Sequence, residues 1–72
     1  MLFINVKVIA GVFTDEEKRR MASRLSDAMV AIEGENLRAV TWVVIDEVKS
    51  GDWSIGGQAL TTENIKALAA RR

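Results

Sequence analysis

A chain of 72 residues forms one domain at most, and we assign residues 1–72 to a single domain. It contains no cysteine and no histidine, which excludes disulfides and the common zinc sites, and no metal or cofactor is expected. Ten basic residues balance ten acidic ones, so the chain offers no excess positive charge to hold the phosphates of a nucleic acid.

No segment has the properties of a membrane span or a secretory signal. The longest apolar runs are far below the ~20 residues that a span needs, and the amino end lacks a basic region followed by a long apolar one. The basic cluster Lys18–Arg20 follows the acidic Asp15–Glu17, and we interpret it as a solvated helix face rather than a nucleic-acid surface. We therefore expect a cytoplasmic protein without nucleic-acid or membrane partners.

The first predicted element is a strand over residues 2–9, where the side chains alternate between two faces. Ile4, Val6 and Val8 share one face, which is predicted to be core. The opposite face is mixed, with Lys7 beside apolar residues.

The second element is an amphipathic helix with clear ends. Thr14 and Glu17 have the spacing of a capping box, and Gly34 is a typical stop. One apolar stripe runs between these ends; its members are Met21, Ala22, Leu25, Ala28, Met29 and Ile32. The following run, Val40–Ile45, predicts a second strand, parallel to the first because a helix connects them.

The rest of the chain predicts shorter elements. Lys49–Asp52 is a turn, Trp53 begins an apolar segment, and the pair Gly56-Gly57 indicates positive φ angles. A last short helix is predicted to begin at Thr61. The fold class is therefore α/β: a β-α-β unit with parallel strands, a C-terminal turn or hairpin segment and a short last helix.

Self-association is also predicted. Hydrophobic residues make up 49% of the chain, yet a domain of this size buries only about 60% of its unfolded surface by itself. Without disulfides or a metal, oligomerisation is the remaining way to complete the core. The Val40–Ile45 strand agrees, because it is apolar on both faces.

The residues by themselves do not indicate a reaction. Without cysteine and histidine the common nucleophilic triads are unavailable. Asp46 and Glu47 point to opposite faces of a strand, so a paired-carboxylate site is not expected.

The chain resembles the 4-oxalocrotonate tautomerase family over nearly its whole length. The resemblance is carried by Phe3–Val8, Gly11–Lys18 and, most specifically, Glu47–Gly57. It implies a β-α-β protomer that assembles as a trimer of dimers, a homohexamer. It also implies an isomerase that moves a proton between oxygen and carbon of a small unsaturated 2-hydroxy or 2-keto dicarboxylic acid.

The catalyst in that family is an amino-terminal proline, and its position falls on Leu2 of this chain. The terminal amine of Met1 is the remaining candidate base, because an α-amino group has a pKa of about 8. One extra residue displaces that amine by up to about 3.5 Å. We therefore expect activity to be weak, altered or lost.

The resemblance also implies substrate-binding residues. An aromatic pocket residue falls on Trp53, and Ile9 and Ile55 are implied as pocket walls. One family arginine falls on Thr41, with Arg38 three residues earlier as its candidate substitute. The other arginine is expected near residues 12–13, where the chain has none.

Three interpretations remain open at this point. The chain is a family member that naturally lacks the proline, an active tautomerase altered at that position by engineering or choice of start site, or a non-catalytic binding or structural oligomer. Trp53 suits an oligomer interface as well as a pocket wall. Arg38 and Lys7 also fit ordinary surface roles, and Leu2 and Phe3 could simply seal a subunit contact.

Overall fold

The computed structural model describes residues 2–70 and has the predicted α/β architecture. The elements are β1 (Leu2–Ile9), α1 (Asp15–Glu33), a 3₁₀ helix (Glu35–Val40), β2 (Thr41–Val48), β3 (Trp53–Ile55), β4 (Gln58–Leu60) and α2 (Thr62–Ala69). Strands β1 and β2 form a parallel pair, and β3 and β4 form an antiparallel hairpin. Within residues 2–70 no helix is both long enough and apolar enough to cross a bilayer.

The parallel pair has one face covered by α1 and one face open. Leu2 lies opposite Thr41 and Ile9 lies opposite Val48, so the register is unbroken along the pair. The face that includes Glu47 packs towards α1, where Lys18 Nζ lies 2.9 Å from Glu47 Oε1. Residues of opposite parity lie on the open face. The prediction that neighbouring Asp46 and Glu47 point to opposite faces is confirmed.

Helix α1 begins and ends where the sequence predicts. The Thr14 hydroxyl accepts a hydrogen bond from the Glu17 amide (3.1 Å), and Glu17 Oε1 accepts one from the Thr14 amide (2.8 Å). Gly34 follows the helix at φ 102°. The buried stripe differs in part from the predicted one: Val30 is buried, whereas Ile32 is exposed. The physical reason is that the side of α1 that packs on the sheet is rotated relative to the predicted stripe, so that Val30, outside the stripe, is covered and its members Ala28 and Ile32 are not.

Thr14→Ala is expected to lower the free energy of unfolding by about 1 kcal/mol, because the Glu17 amide loses its cap. The hydrogen bond from the Thr14 backbone lowers the pKa of Glu17 below its ordinary 4.5. The stabilisation from this carboxylate is therefore complete above pH 4.5 and is lost as the pH falls through the native pKa. Urea unfolding at fixed protein concentration, at neutral and acidic pH, measures both effects. Thr14→Ser is the control; an equal loss in both variants would contradict the capping explanation.

The hairpin and α2 fold back onto the carboxyl end of β1. Gly56 (φ 59°) and Gly57 (φ 86°) form the tight turn between β3 and β4, as predicted from the glycine pair. The Thr62 hydroxyl then donates to the Ala10 carbonyl. Gly11 permits this approach, because a Cβ at that position would lie 3.2 Å from Thr62 Cγ2.

The chain by itself is extended and incompletely packed. Its radius of gyration is 14.9 Å, against about 11 Å for a compact domain of this length. Its accessible surface is 5483 Å², against about 4,400 Å² for a compact monomer of this mass. Among residues 2–70, Ile9 and Val30 are the buried apolar residues, with 7% and 6% of their surface exposed. Phe3 and Trp42, which lie opposite each other on the open face, are 63% and 58% exposed.

Candidate active site

A cavity of about 310 Å³ lies between the carboxyl end of β1, the hairpin and α2. Its lining is almost entirely apolar and comprises Lys7, Val8, Ile9, Phe13, Trp53, Ile55, Leu60 and Ile65. Three of the predicted substrate-binding residues, Ile9, Trp53 and Ile55, are thus brought together. A pocket of this size admits a small organic molecule.

Trp53 forms one wall of this cavity and is partly buried. Its indole nitrogen is buried and has no hydrogen-bond partner within residues 2–70. A buried donor without a partner is unfavourable. A small movement of the ring, or an acceptor atom from a neighbouring chain, would therefore give this indole N–H a hydrogen-bond partner.

Leu2 and Thr41 lie together at the other end of the β1–β2 pair, where they are register partners. The Thr41 hydroxyl is 2.8 Å from Glu33 Oε2 and 2.9 Å from the Leu37 carbonyl oxygen. Its hydrogen is therefore already engaged inside the chain. Met1, whose amine is the predicted candidate base, lies outside the described residues.

Arg38 is held by two carboxylates. Its Nε and Nη2 donate to the two oxygens of Glu35 at 2.8 and 3.2 Å, and its Nη1 donates to Asp27 at 2.8 Å. The hydrogen bonds that Arg38 donates to Glu35, and then to Asp27, raise the pKa of Arg38, while Arg38 lowers the pKa of Glu35. Three of the five guanidinium N–H donors are thus occupied, which leaves two for any substrate.

The predicted site residues therefore form two groups within one chain. Leu2, Thr41 and nearby Arg38 lie at one end of β1–β2, and the cavity lies at the other. The seven residue steps between Leu2 and Ile9 span about 23 Å of strand. A small substrate cannot touch both groups of a single copy.

Sequence reasoning did not assign Lys7, Val8, Phe13, Leu60 or Ile65 to the site. Lys7 was detectable, because it lies two residues before Ile9 on the same side of β1. The other four carry no such signal in the sequence. They reach the cavity through the packing of the hairpin and α2 against β1.

Fold and cavity together define a small α/β protomer of the β-α-β class, with a hairpin that closes an apolar pocket at one strand end. Residues 3–63 match the family model described as "Tautomerase enzyme". The chain therefore belongs to the tautomerase family.

Individual relatives agree with this assignment. The chain is 33% identical over 67 residues to "Probable tautomerase K2" of Dickeya dadantii, covering 93% of this chain and 98% of that protein. It is 36% identical over 62 residues to a "Probable tautomerase" of Helicobacter pylori, covering 83% and 90%. The crystal structure of DmpI from Helicobacter pylori superposes with a TM-score of 0.69 at 33% identity, covering 90% of this chain and 96% of that one.

Proposed function

We propose that this chain is an isomerase that interconverts the enol and keto forms of a small unsaturated 2-hydroxy or 2-keto acid by proton transfer. The observation that carries the proposal is the apolar cavity formed by Ile9, Trp53 and Ile55 in a chain of the tautomerase family. Apolar walls exclude water around the reacting carbon, which prevents side reactions of the intermediate. The resemblance predicts a dicarboxylic substrate of this kind.

Turnover is proposed to be weak or altered, because position 2 is occupied by leucine. A hydrocarbon side chain can neither accept nor donate a proton. An amine displaced from the productive position by even ~1 Å loses on the order of 10²-fold in rate. Proton transfer in this chain therefore depends on a base that is less well placed than the proline of the family.

We also propose that the site is completed between copies, in a homohexamer built as a trimer of dimers. Supporting this, the two groups of site residues are about 23 Å apart in one chain. The exposed aromatic pair Phe3 and Trp42 offers a surface that a second copy can cover. The proposed partners are further copies and a small acid, with no nucleic acid or membrane, in the cytoplasm.

A second candidate function is a non-catalytic binding or structural oligomer on the same scaffold. It is favoured by the engagement of Arg38 with Asp27 and Glu35, which leaves this cation partly neutralised inside the chain. In this alternative the cavity and the open face serve only association.

Direct measurement of enol decay decides between the two functions. We expect the chain to accelerate ketonisation of 2-hydroxymuconate, or of the enol of 3-phenyl-2-oxopropanoate, above the buffer rate. Ile55→Ala, at the cavity, should lower kcat/KM by about tenfold through loss of wall contacts. Leu68→Ala is the matched control, because Leu68 is similarly exposed (60% against 69% for Ile55) but lines no part of the cavity.

An unaccelerated reaction with both enols would support the non-catalytic alternative. Equal losses in the Ile55 and Leu68 variants would show that the cavity is not where the substrate binds.

A further inference from the structure

Lys7 is the one charged residue among those that line the cavity. Its side chain lines the cavity and is 59% exposed, so water and ligands can reach it. Arg20 and Arg24 line a separate hollow on the other side of Phe13. Within residues 2–70, the charge available to an acid in the cavity is therefore that of Lys7.

A short polar network holds the Lys7 ammonium in place. Lys7 Nζ lies 3.2 Å from Asp46 Oδ2, and Asn5 Nδ2 donates to the same oxygen at 2.8 Å. The hydrogen bond from Asn5, followed by that from Lys7, keeps the pKa of Asp46 below its ordinary value, so the carboxylate is charged. An ammonium has three donors, and this contact uses one of them. The others remain for a ligand oxygen.

The composition of the cavity limits the ligand to one carboxylate. A carboxylate beside Lys7 would gain charge-assisted hydrogen bonds. A second carboxylate, carried into the interior, would face the side chains of Ile9 and Ile65. The Arg38 guanidinium that a neighbouring copy would bring is already paired with Asp27 and Glu35, and burial of a charge without a full partner is strongly unfavourable. An apolar ring or short chain suits the same walls.

We propose that the cavity takes a monocarboxylate bearing an apolar ring or chain, and that Lys7 binds its carboxylate and so selects it over a dicarboxylate. This deepens the proposed function, on which it rests for the identity of the site, and it differs from the dicarboxylic substrate that the resemblance predicts. Asn5 and Asp46 are positioning residues for Lys7. Asp46 also competes with the ligand's carboxylate for the ammonium group of Lys7.

Binding of unreactive acids tests this proposal without any turnover. The probes are 3-phenylpropanoate, its uncharged analogue 3-phenylpropanamide, and the dicarboxylate hexanedioate. The indole N–H resonances of the two tryptophans report the location, because Trp53 lines the cavity and Trp42 does not. We expect 3-phenylpropanoate to shift the Trp53 signal and leave that of Trp42 in place, with a Kd about fivefold or more below those of the other two probes.

Variants separate the role of Lys7 from general effects of charge. Lys7→Gln should weaken binding of 3-phenylpropanoate by about fivefold and leave the amide unaffected. Asp46→Asn should tighten binding of the acid by about threefold, because a nearby like charge is removed; a merely structural role for Asp46 would not tighten it. Lys49→Gln, at an exposed lysine outside the cavity, should change nothing.

Equal or tighter binding of hexanedioate, or an unchanged Kd in Lys7→Gln, would overturn the proposal, as would no shift of Trp53 with any probe. If 3-phenylpropanoate binds in a Lys7-dependent way but no enol is turned over, the proposed isomerase function is refuted and the role of Lys7 in binding is retained. If 2-hydroxymuconate is turned over at the same rate in Lys7→Gln, the role of Lys7 is refuted and the isomerase function is retained.

Discussion

Leu2→Pro, in protein from which Met1 has been removed, is expected to raise kcat/KM for enol ketonisation by about 10²-fold or more. The reason is that a terminal proline supplies a secondary amine at the position where the family holds its base, and a well-placed general base contributes about 10²–10⁴-fold. The measurement is the initial rate of enol decay with 2-hydroxymuconate and with the enol of 3-phenyl-2-oxopropanoate. Mass spectrometry establishes that Met1 is absent.

Leu2→Ala is the matched control for this gain. Alanine is also small enough to permit removal of Met1, so it presents a primary amine at the same position without the proline ring. A gain specific to proline supports a surviving tautomerase pocket. Equal rates in the two variants, or no gain in either, would contradict the assignment of position 2 to the catalyst.

Trp42→Lys is expected to dissociate the proposed oligomer, with a dissociation constant at least about thirtyfold higher than that of the unmodified chain. Large aromatic side chains at the centre of an interface often contribute 2 kcal/mol or more, and Trp42 faces outward beside Phe3 on the side of the sheet that α1 leaves open. A lysine there would be buried without a partner in any assembly that covers this face. Sedimentation velocity over a range of concentrations measures the effect.

Ser23→Lys adds the same charge on the exposed side of α1 and is the control for this prediction. It should leave the assembly unchanged. A monomeric unmodified chain at micromolar concentration, or an unaltered oligomer in Trp42→Lys, would show that the open face is not a subunit contact. Loss of the folded state on dissociation would fit the sparse core of the single chain.

Tautomerisation and selection of a monocarboxylate, the two proposals about the cavity, require different residues to be present. Tautomerisation needs a base near the apolar walls, and in one copy those walls lie about 23 Å along the strand from Leu2. Selection of a monocarboxylate needs only Lys7 and the walls, which are present in one copy. Binding is therefore expected to survive in variants that lose turnover through changes at position 2.

Much of the secondary structure could be predicted because it depends on residues close together in the chain. The capping box predicted at Thr14 forms and sets the start of α1. Helix α2 begins at Thr62, one residue after the predicted start, with Thr61 as its N-cap. Alternation of apolar residues predicted β1 at residues 2–9, and the glycine pair predicted the positive φ angles that it has in the turn of the hairpin. Each of these signals lies within one short segment of the chain, where sequence patterns are reliable.

Only some residues of the candidate site could be predicted from the sequence. The resemblance implied Ile9, Trp53 and Ile55, and the structure places all three on one cavity. It implied Arg38 as a candidate substitute for a family arginine, but it did not predict that the guanidinium is hydrogen-bonded to Asp27 and Glu35. No local pattern shows which acidic residue a flexible arginine will meet.

By itself, then, the sequence determined the two α-helices and the parallel strand pair, since local hydrogen bonding and apolar periodicity are sufficient for these, and its resemblance to known proteins implied the family. Only the tertiary structure decided what lies at each end of the sheet. Contacts between residues far apart in the chain, such as the hydrogen bond from Thr62 to Ala10, bring the hairpin and α2 back to β1. They close the cavity with Phe13, Leu60 and Ile65, and Lys7 lines the same cavity.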